Sequence, residues 1–313
     1  MGINSRKVVV VGCGFVGSSS AFALMQSQLF SEMVLIDADQ KRAEGEAIDI
    51  SHGMVFASPM KIYAGTYDDI SDAAVIVITA GANQKPDETR LDLIKKNSRI
   101  MKSIVGEIKK REFEGILLIV SNPVDILTYI AQKEFNYPRN LLIGTGTLLD
   151  TARFNKMLAD LCGVDAKNVT GFVLGEHGGT SFIPWNAVNI VGIPFHDFQK
   201  QFGLKEPVDC EKLLHEVKVS GLDIVELKGY TSSGIALSVC RLVGAIMRNE
   251  RAVVPASVVL EGEYGLEGIA MSLPCVISRN GVERTLQIPL DKEGEKNLKI
   301  CYEYLRNVIE SIS

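Results

Sequence analysis

The sequence has no membrane-length apolar run, no basic block and no paired-cysteine motif, and each absence argues against a class of function. No stretch approaches the roughly 18–20 apolar residues of a spanning helix. The N-terminus passes from Arg6 and Lys7 straight into a short valine run. It lacks the apolar core and small-residue cleavage site of a signal peptide. MGINS fits the loose myristoylation pattern, but a strand begins almost at once. Lysine and arginine number 33 against 38 acidic residues, a net charge of −5, and form no cluster. That argues against nucleic acid, whose phosphates need clustered cations. The six cysteines stand at 13, 162, 210, 240, 275 and 301 with no CxxC, so neither a zinc site nor a dithiol is signalled and no metal is expected. Free thiols in a reducing cytoplasm account for them. There is no internal repeat, low-complexity segment or Pro- or Ser-rich linker.

What is present is alternation. KVVVVG, MVLID, MKIYA, AVIVITA, GILLIVS and LLIGTG are short apolar runs between residue 7 and about 144, with helical stretches such as KRAEGEAIDIS and LDLIKKNSRIMKSIVGEIKKRE between several of them. Continuous β-branched strands suit a parallel sheet covered on both faces. Their alternation with helices implies right-handed βαβ units in a doubly wound α/β fold. After residue 145 comes a helix, LLDTARFNKMLADLC, then strand-like VTGFVL, AVNIVGI, SVVLEGEYG and GIAMSLPCVIS. A last helix over about 291–312 puts Leu298, Cys301, Leu305, Val308 and Ile312 on one face. The pattern predicts two closely packed domains, 1–144 and 145–313, the second a mixed α+β domain with antiparallel strands.

The first strand ends in VVVVGCGFVGSSSAFAL. Gly12, Gly14 and Gly17 form G-x-G-x-x-G between strand and helix. Such spacing permits a tight turn, backbone approach to a pyrophosphate, and close helix–strand packing. The helix N-terminus adds unpaired N–H groups and partial positive charge. Many glycine-rich turns are only turns, but here Asp37 closes MVLID, twenty residues on. A carboxylate there binds ribose hydroxyls and repels a 2′-phosphate, which favours NAD over NADP. S-adenosylmethionine and FAD are the other ligands such a turn serves.

Further on, Asp150 and Arg153 lie three apart on a helix, which suits a mutual ion pair. His177 sits among glycines in VLGEHGGT, and a lone histidine there suits packing or the surface. Arg90 belongs to the polar stretch ANQKPDETR, where an arginine is ordinarily solvated.

Together, Gly12 to Gly17, Asp37, the ANQKP…ETRLDL stretch, SNPVD at 121–125, LDTAR at 149–153 and GEHG at 175–178 occur in one order at one set of spacings. On these motifs the chain resembles the lactate/malate dehydrogenase family over essentially its whole length, most of all its bacterial L-lactate branch. The resemblance implies a Rossmann sheet for the NAD-binding domain and a substrate domain after it. It implies hydride exchange between NAD and a 2-oxo/2-hydroxy acid. His177 would donate and accept the proton, and Asp150 would orient its ring. Arg153 would grip the substrate carboxylate and Arg90 would polarise the carbonyl. Gln84 would take the discriminating position, where malate enzymes carry arginine; a neutral amide suits the methyl of pyruvate. Asn122 would touch substrate and cofactor, and Thr231 and Ile235 would lie near substrate and nicotinamide. Val16, Arg42, Tyr67, Gly81, Ala82 and Thr145 fall where the family meets NAD. A homotetramer or homodimer is implied, without nucleic acid or membrane as partner.

The chain also departs from the family. Asp87 replaces the usual Gly, Gly179 the usual acid or Asn, and Tyr230 a residue that is commonly Ala. A larger 2-hydroxy acid, of the hydroxyisocaproate type, is therefore the alternative substrate; malate ranks lower because of Gln84. Asn155 and Thr170 stand where many bacterial relatives carry the Arg and His that bind fructose 1,6-bisphosphate, so that activator is not expected. A non-catalytic NAD sensor on the same fold would lack the acid–base or anchoring residues, all four of which are present.

Overall fold

The computed structural model describes residues 4–82, 88–202 and 207–312, the side chain of Ser5 excepted. The first half alternates as its sequence pattern predicts: β1 (Asn4–Val11), α1 (Phe15–Gln26), β2 (Glu32–Ile36), α2 (Gln40–His52), β3 (Lys61–Ala64), β4 (Ala73–Ile78), α3 (Arg90–Lys110), β5 (Ile116–Ile119), α4 (Val124–Phe135) and β6 (Leu142–Gly144). These strands are parallel and lie in the order β6-β5-β4-β1-β2-β3.

The valine run shows why the sheet is buried on both faces. Val8 and Val10 enter one core with Ala21 and Leu24 of α1 and Ala43 and Ala47 of α2. Val9 and Val11 enter the other, with Met101 and Val105 of α3 and Leu127 of α4. Alternate side chains of a strand point to opposite faces, so a continuous apolar run needs cover on both.

The second half contains α5 (Leu148–Cys162), β7 (Val169–Thr170), β8 (Asn189–Ile190), β9 (Ile193–Pro194), α6 (Phe195–Gln201), α7 (Cys210–Lys228), α8 (Ser233–Met247), β10 (Ala252–Glu261), β11 (Glu267–Ser278), β12 (Gly281–Thr285) and α9 (Lys292–Ile312). The antiparallel strands are there, but β10–β12 do not form a sheet of their own. β10 joins β6 through Ser257 and Gly144, and the nine-stranded order becomes β12-β11-β10-β6-β5-β4-β1-β2-β3. Among the described residues only the short β7-β8-β9 sheet is separate. The sheet thus runs straight across residue 144.

Two expected strands are shortened, and AVNIVGI is split by a turn at Val191 and Gly192 into the hairpin strands β8 and β9. VTGFVL forms a strand only at Val169–Thr170. Thr151 Oγ1 on α5 then accepts the Val173 N–H at 2.9 Å, and a Cβ at Gly171 would come within 2.4 Å of the Phe154 ring. Side chains of α5 therefore hold the middle of this segment, and beyond it Leu174 pairs with Phe182 only as an isolated bridge. SVVLEGEYG stops at Glu261 and enters a 3-10 turn at Glu263–Gly265. The long helices α7 and α8 carry no clear sequence signal. α7 buries only Leu213 and Val217, so it has almost no apolar stripe, whereas α8 is apolar nearly all round. In α9, Leu298, Cys301 and Leu305 are buried as expected; Ile309 takes the innermost place beyond them, and Val308 and Ile312 are partly buried.

Phe154 locks the helix that carries Asp150 and Arg153. Its ring is fully buried and meets Trp185 edge-on at 5.5 Å. Phe154→Ala should lower stability by about 3–5 kcal/mol through lost burial and the cavity left behind. Chemical denaturation followed by fluorescence of Trp185, the chain's one tryptophan, measures it directly.

Candidate active site

Two cavities meet at the glycine turn. Gly12 has φ +101°, and a Cβ there would sit 2.5 Å from the Ala80 backbone nitrogen. A Cβ on Gly17 would lie 1.8 Å from the Gly12 carbonyl oxygen. Gly14 instead faces open space and is the N-cap of α1, with no side-chain cap bond. The turn is therefore closed towards the protein at Gly12 and Gly17 and open at Gly14, where α1 begins. At the end of β2, Asp37 Oδ2 accepts the Cys13 N–H at 2.6 Å and Oδ1 accepts the Asp39 N–H at 2.9 Å, which fixes the acid beside the turn.

The first cavity, about 580 Å³, is lined by Gly12, Gly14, Asp37, Arg42, Tyr67, Gly81 and Ala82. Open glycine backbone, a free helix N-terminus and a placed carboxylate are what a dinucleotide needs, so the residues present fit NAD. Gly17 shapes this cavity from behind and does not line it. The second cavity, about 360 Å³, is lined by Val16, Asn122, Thr145, Asp150, Arg153, His177, Thr231 and Ile235, with Lys218 and Gly221 across from them. Gly14 belongs to one cavity and Val16 to the other, so one turn separates the two.

Asp150 organises the second cavity. His177 Nδ1 lies 2.6 Å from Asp150 Oδ2, and Arg153 Nη1 donates to Asp150 Oδ1 at 3.1 Å. The ion pair that helical spacing suits is thus formed, alongside the contact to His177. The carboxylate has two oxygens and serves both. Burial opposes charge on His177, but the Asp150 carboxylate, by charge and hydrogen bond, and Asp125 beyond it outweigh that and hold its pKa at about 9. Burial likewise opposes charge on Asp150, yet His177 and Arg153 keep its carboxyl below the ordinary range.

Several supporting residues were not singled out in the sequence. Asp125 is buried at the start of α4; Oδ2 accepts the His177 N–H at 2.7 Å and Oδ1 accepts the Ser257 hydroxyl at 2.5 Å. Desolvation lifts its pKa to about 6 against those two bonds. Asn97 on α3 accepts the Ala82 N–H at 2.8 Å and donates to the Asn122 carbonyl at 2.8 Å, tying the walls of the two cavities together. Lys218 donates to the Gly179 carbonyl at 2.9 Å, beside His177. Asp125 closes the SNPVD motif, and the one signal available for Asn97 was a polar residue on the otherwise apolar face of α3.

Arg90 is not in either cavity wall. It is the first residue of α3, and its Nη2 meets Glu176 Oε1 at 3.2 Å, with the guanidinium 5.7 Å from the Tyr304 ring centroid. Glu176, almost fully buried, also accepts the Thr180 N–H at 3.1 Å and its hydroxyl at 2.6 Å. Gln84, with Pro86 and Asp87, lies outside the described residues. Asn155 follows Phe154 on α5, and Thr170 is an exposed residue of β7.

Residues 6–144 match the family model described as lactate/malate dehydrogenase, NAD binding domain, and residues 147–313 match lactate/malate dehydrogenase, alpha/beta C-terminal domain. The chain belongs to the lactate/malate dehydrogenase family. It is 47% identical to L-lactate dehydrogenase 2 of Clostridium acetobutylicum, over 100% of this chain and 99% of that one. Identity to the L-lactate dehydrogenase of Acetivibrio thermocellus is 44%, over 98% and 97%. Among solved structures, the ligand-bound minor L-lactate dehydrogenase of Enterococcus mundtii superposes with a TM-score of 0.95 at 39% identity, covering 98% of each chain. A lactate dehydrogenase from a Medee basin deep-sea metagenome superposes with 0.96 at 38% identity, over 100% and 99%. None of the described helices of this family member is long and apolar enough to cross a membrane.

The charge arrangement has a direct readout. In the chain without ligands, NMR titration should place the His177 imidazole near pH 9. Asp150→Asn should move it down by roughly one unit or more, since the raising partner is gone; an unmoved pKa would assign the shift to another group.

Proposed function

We propose that the chain interconverts pyruvate and L-lactate with NAD as its cofactor, His177 exchanging the proton. The observation that supports this most is His177 bound through Nδ1 to Asp150 at 2.6 Å, in a cavity shared with Arg153 and bordered by Val16 of the phosphate turn. When bound, the dinucleotide supplies the hydride for the keto carbon and accepts it in the reverse direction.

With Nδ1 held by Asp150, Nε2 is the nitrogen left to exchange a proton with substrate. In reduction, His177 enters protonated and gives the Nε2 proton to the keto oxygen; in oxidation, neutral Nε2 takes it from the hydroxyl. Asp150 fixes the tautomer and stabilises the imidazolium between the two events. Arg153 receives the substrate carboxylate in a two-bond grip that lysine lacks, while Asp150 holds its other side. Thr231 and Asn122 complete the substrate seat together with Gln84, the last on family resemblance alone, and Asn97 sets the Asn122 backbone. Arg90 stabilises the developing oxyanion, for which its guanidinium leaves Glu176. Asp37 selects NAD over NADP.

A homotetramer or homodimer is part of the proposal. Val55 and Phe56 after α2 and Leu222 and Leu227 on α7 are mostly exposed, more large apolar surface than one folded chain otherwise leaves bare. Six free thiols suit a cytoplasmic setting. No bisphosphate site is proposed at Asn155 and Thr170.

A panel of 2-oxo acids assayed with NADH and with NADPH tests the reading, pyruvate with NADH being expected to lead and a branched acid leading instead counting against it. His177→Asn should remove nearly all turnover while NADH still binds. Protonated His177 drives reduction, so pyruvate turnover should fall as pH rises through about 9, and lactate oxidation should rise through the same point. Gln84→Arg should shift kcat/KM from pyruvate towards oxaloacetate; an unchanged ratio would remove Gln84 from substrate discrimination.

A further inference from the structure

Tyr230, a departure the reaction leaves unused, has a partner. Its ring stacks on that of Phe15, centroids 4.0 Å apart and planes within 10°. The Lys228 ammonium lies 4.4 Å from the Tyr230 ring centroid. The two rings come from segments that line the site on different sides. Phe15 opens α1, between Gly14 in the dinucleotide cavity and Val16 in the reaction cavity. Tyr230 follows Gly229, which ends α7 at φ +86°, and precedes Thr231 in the wall of the reaction cavity. Phe15 remains 61% exposed. A ring that stays so open contributes little burial to the core, so the contact acts mainly on the two backbone segments it joins.

We propose that the Phe15–Tyr230 stack is a positioning contact that braces the Thr231 loop against the phosphate turn, so that one restraint serves both cofactor and substrate seats. A dinucleotide that orders the turn then also orders the loop, and the substrate meets a site whose entropic cost is partly met. Only the substrate half of this inference rests on the proposed reaction.

The test is NADH binding to the full chain, read by fluorescence, for Phe15→Ala, Tyr230→Ala, the double variant and Tyr230→Phe. Each alanine variant should weaken NADH binding roughly twofold to tenfold, the range such ring pairs supply. The double variant should be no weaker than either single, and Tyr230→Phe, which keeps the ring, should bind as the unsubstituted chain does. Oxamate, an isostere of pyruvate, should bind the NADH complex more weakly in both single variants. Thermal melting separates a packing role: a lowered melting temperature with unchanged NADH and oxamate affinities overturns the proposal, as do losses that multiply in the double variant. If oxamate fails to bind the NADH complex of the unsubstituted chain, the pyruvate reading fails instead, and the NADH series still decides the stack.

Discussion

The Asp150 carboxylate is the interaction on which the site depends. It is almost buried, and a buried carboxylate is tolerated only when its charge is met. Here one oxygen meets Arg153 on the same helix and the other meets His177, which arrives from the far end of a loop. Removing either partner would leave the other pair strained for charge. The shared carboxylate therefore ties acid–base chemistry and substrate anchoring into one electrostatic unit.

Such a unit works only if its parts are held still, and the fold supplies that from three directions. Phe154 anchors α5 in the core next to Arg153. Asp125 of α4 holds the backbone N–H of His177 from behind while Ser257 of β10 holds Asp125. Asn97 of α3 fixes the segments after β4 and β5 to each other. Because β10 continues the sheet that begins at β3, strands from both halves of the chain contribute to one rigid floor. The glycine turn lies over that floor, with one cavity on each side of it.

Legibility in the sequence followed the range of the physics. Gly12, Gly14, Gly17 and Asp37 could be read because the turn's demands are local: a φ only glycine adopts easily, a helix start, a strand end. The Asp150–Arg153 pair could be read from helical spacing. The meeting of Asp150 with His177, 27 positions apart, could not; it came only through family resemblance. Arg90 was legible as a residue but not as a placement, since its partner Glu176 is 86 positions away and decided by packing. The partners of Asp125 and Asn97 were not legible, because an isolated polar residue in a helix does not say what it will bind. α7 escaped because its bare apolar residues blur the stripe that marks a helix, and α8 because apolar residues surround it.

By itself, then, the sequence determined the parallel strands, the phosphate turn and the kinds of group available for chemistry, because β-branched runs, glycine geometry and helical spacing act over a few residues. Tertiary structure alone decided that β10–β12 extend the first sheet, that one carboxylate serves both Arg153 and His177, and that Tyr230 lies on Phe15. Those outcomes depend on burial and charge shared between segments far apart in the chain, and no local pattern encodes which of them will meet.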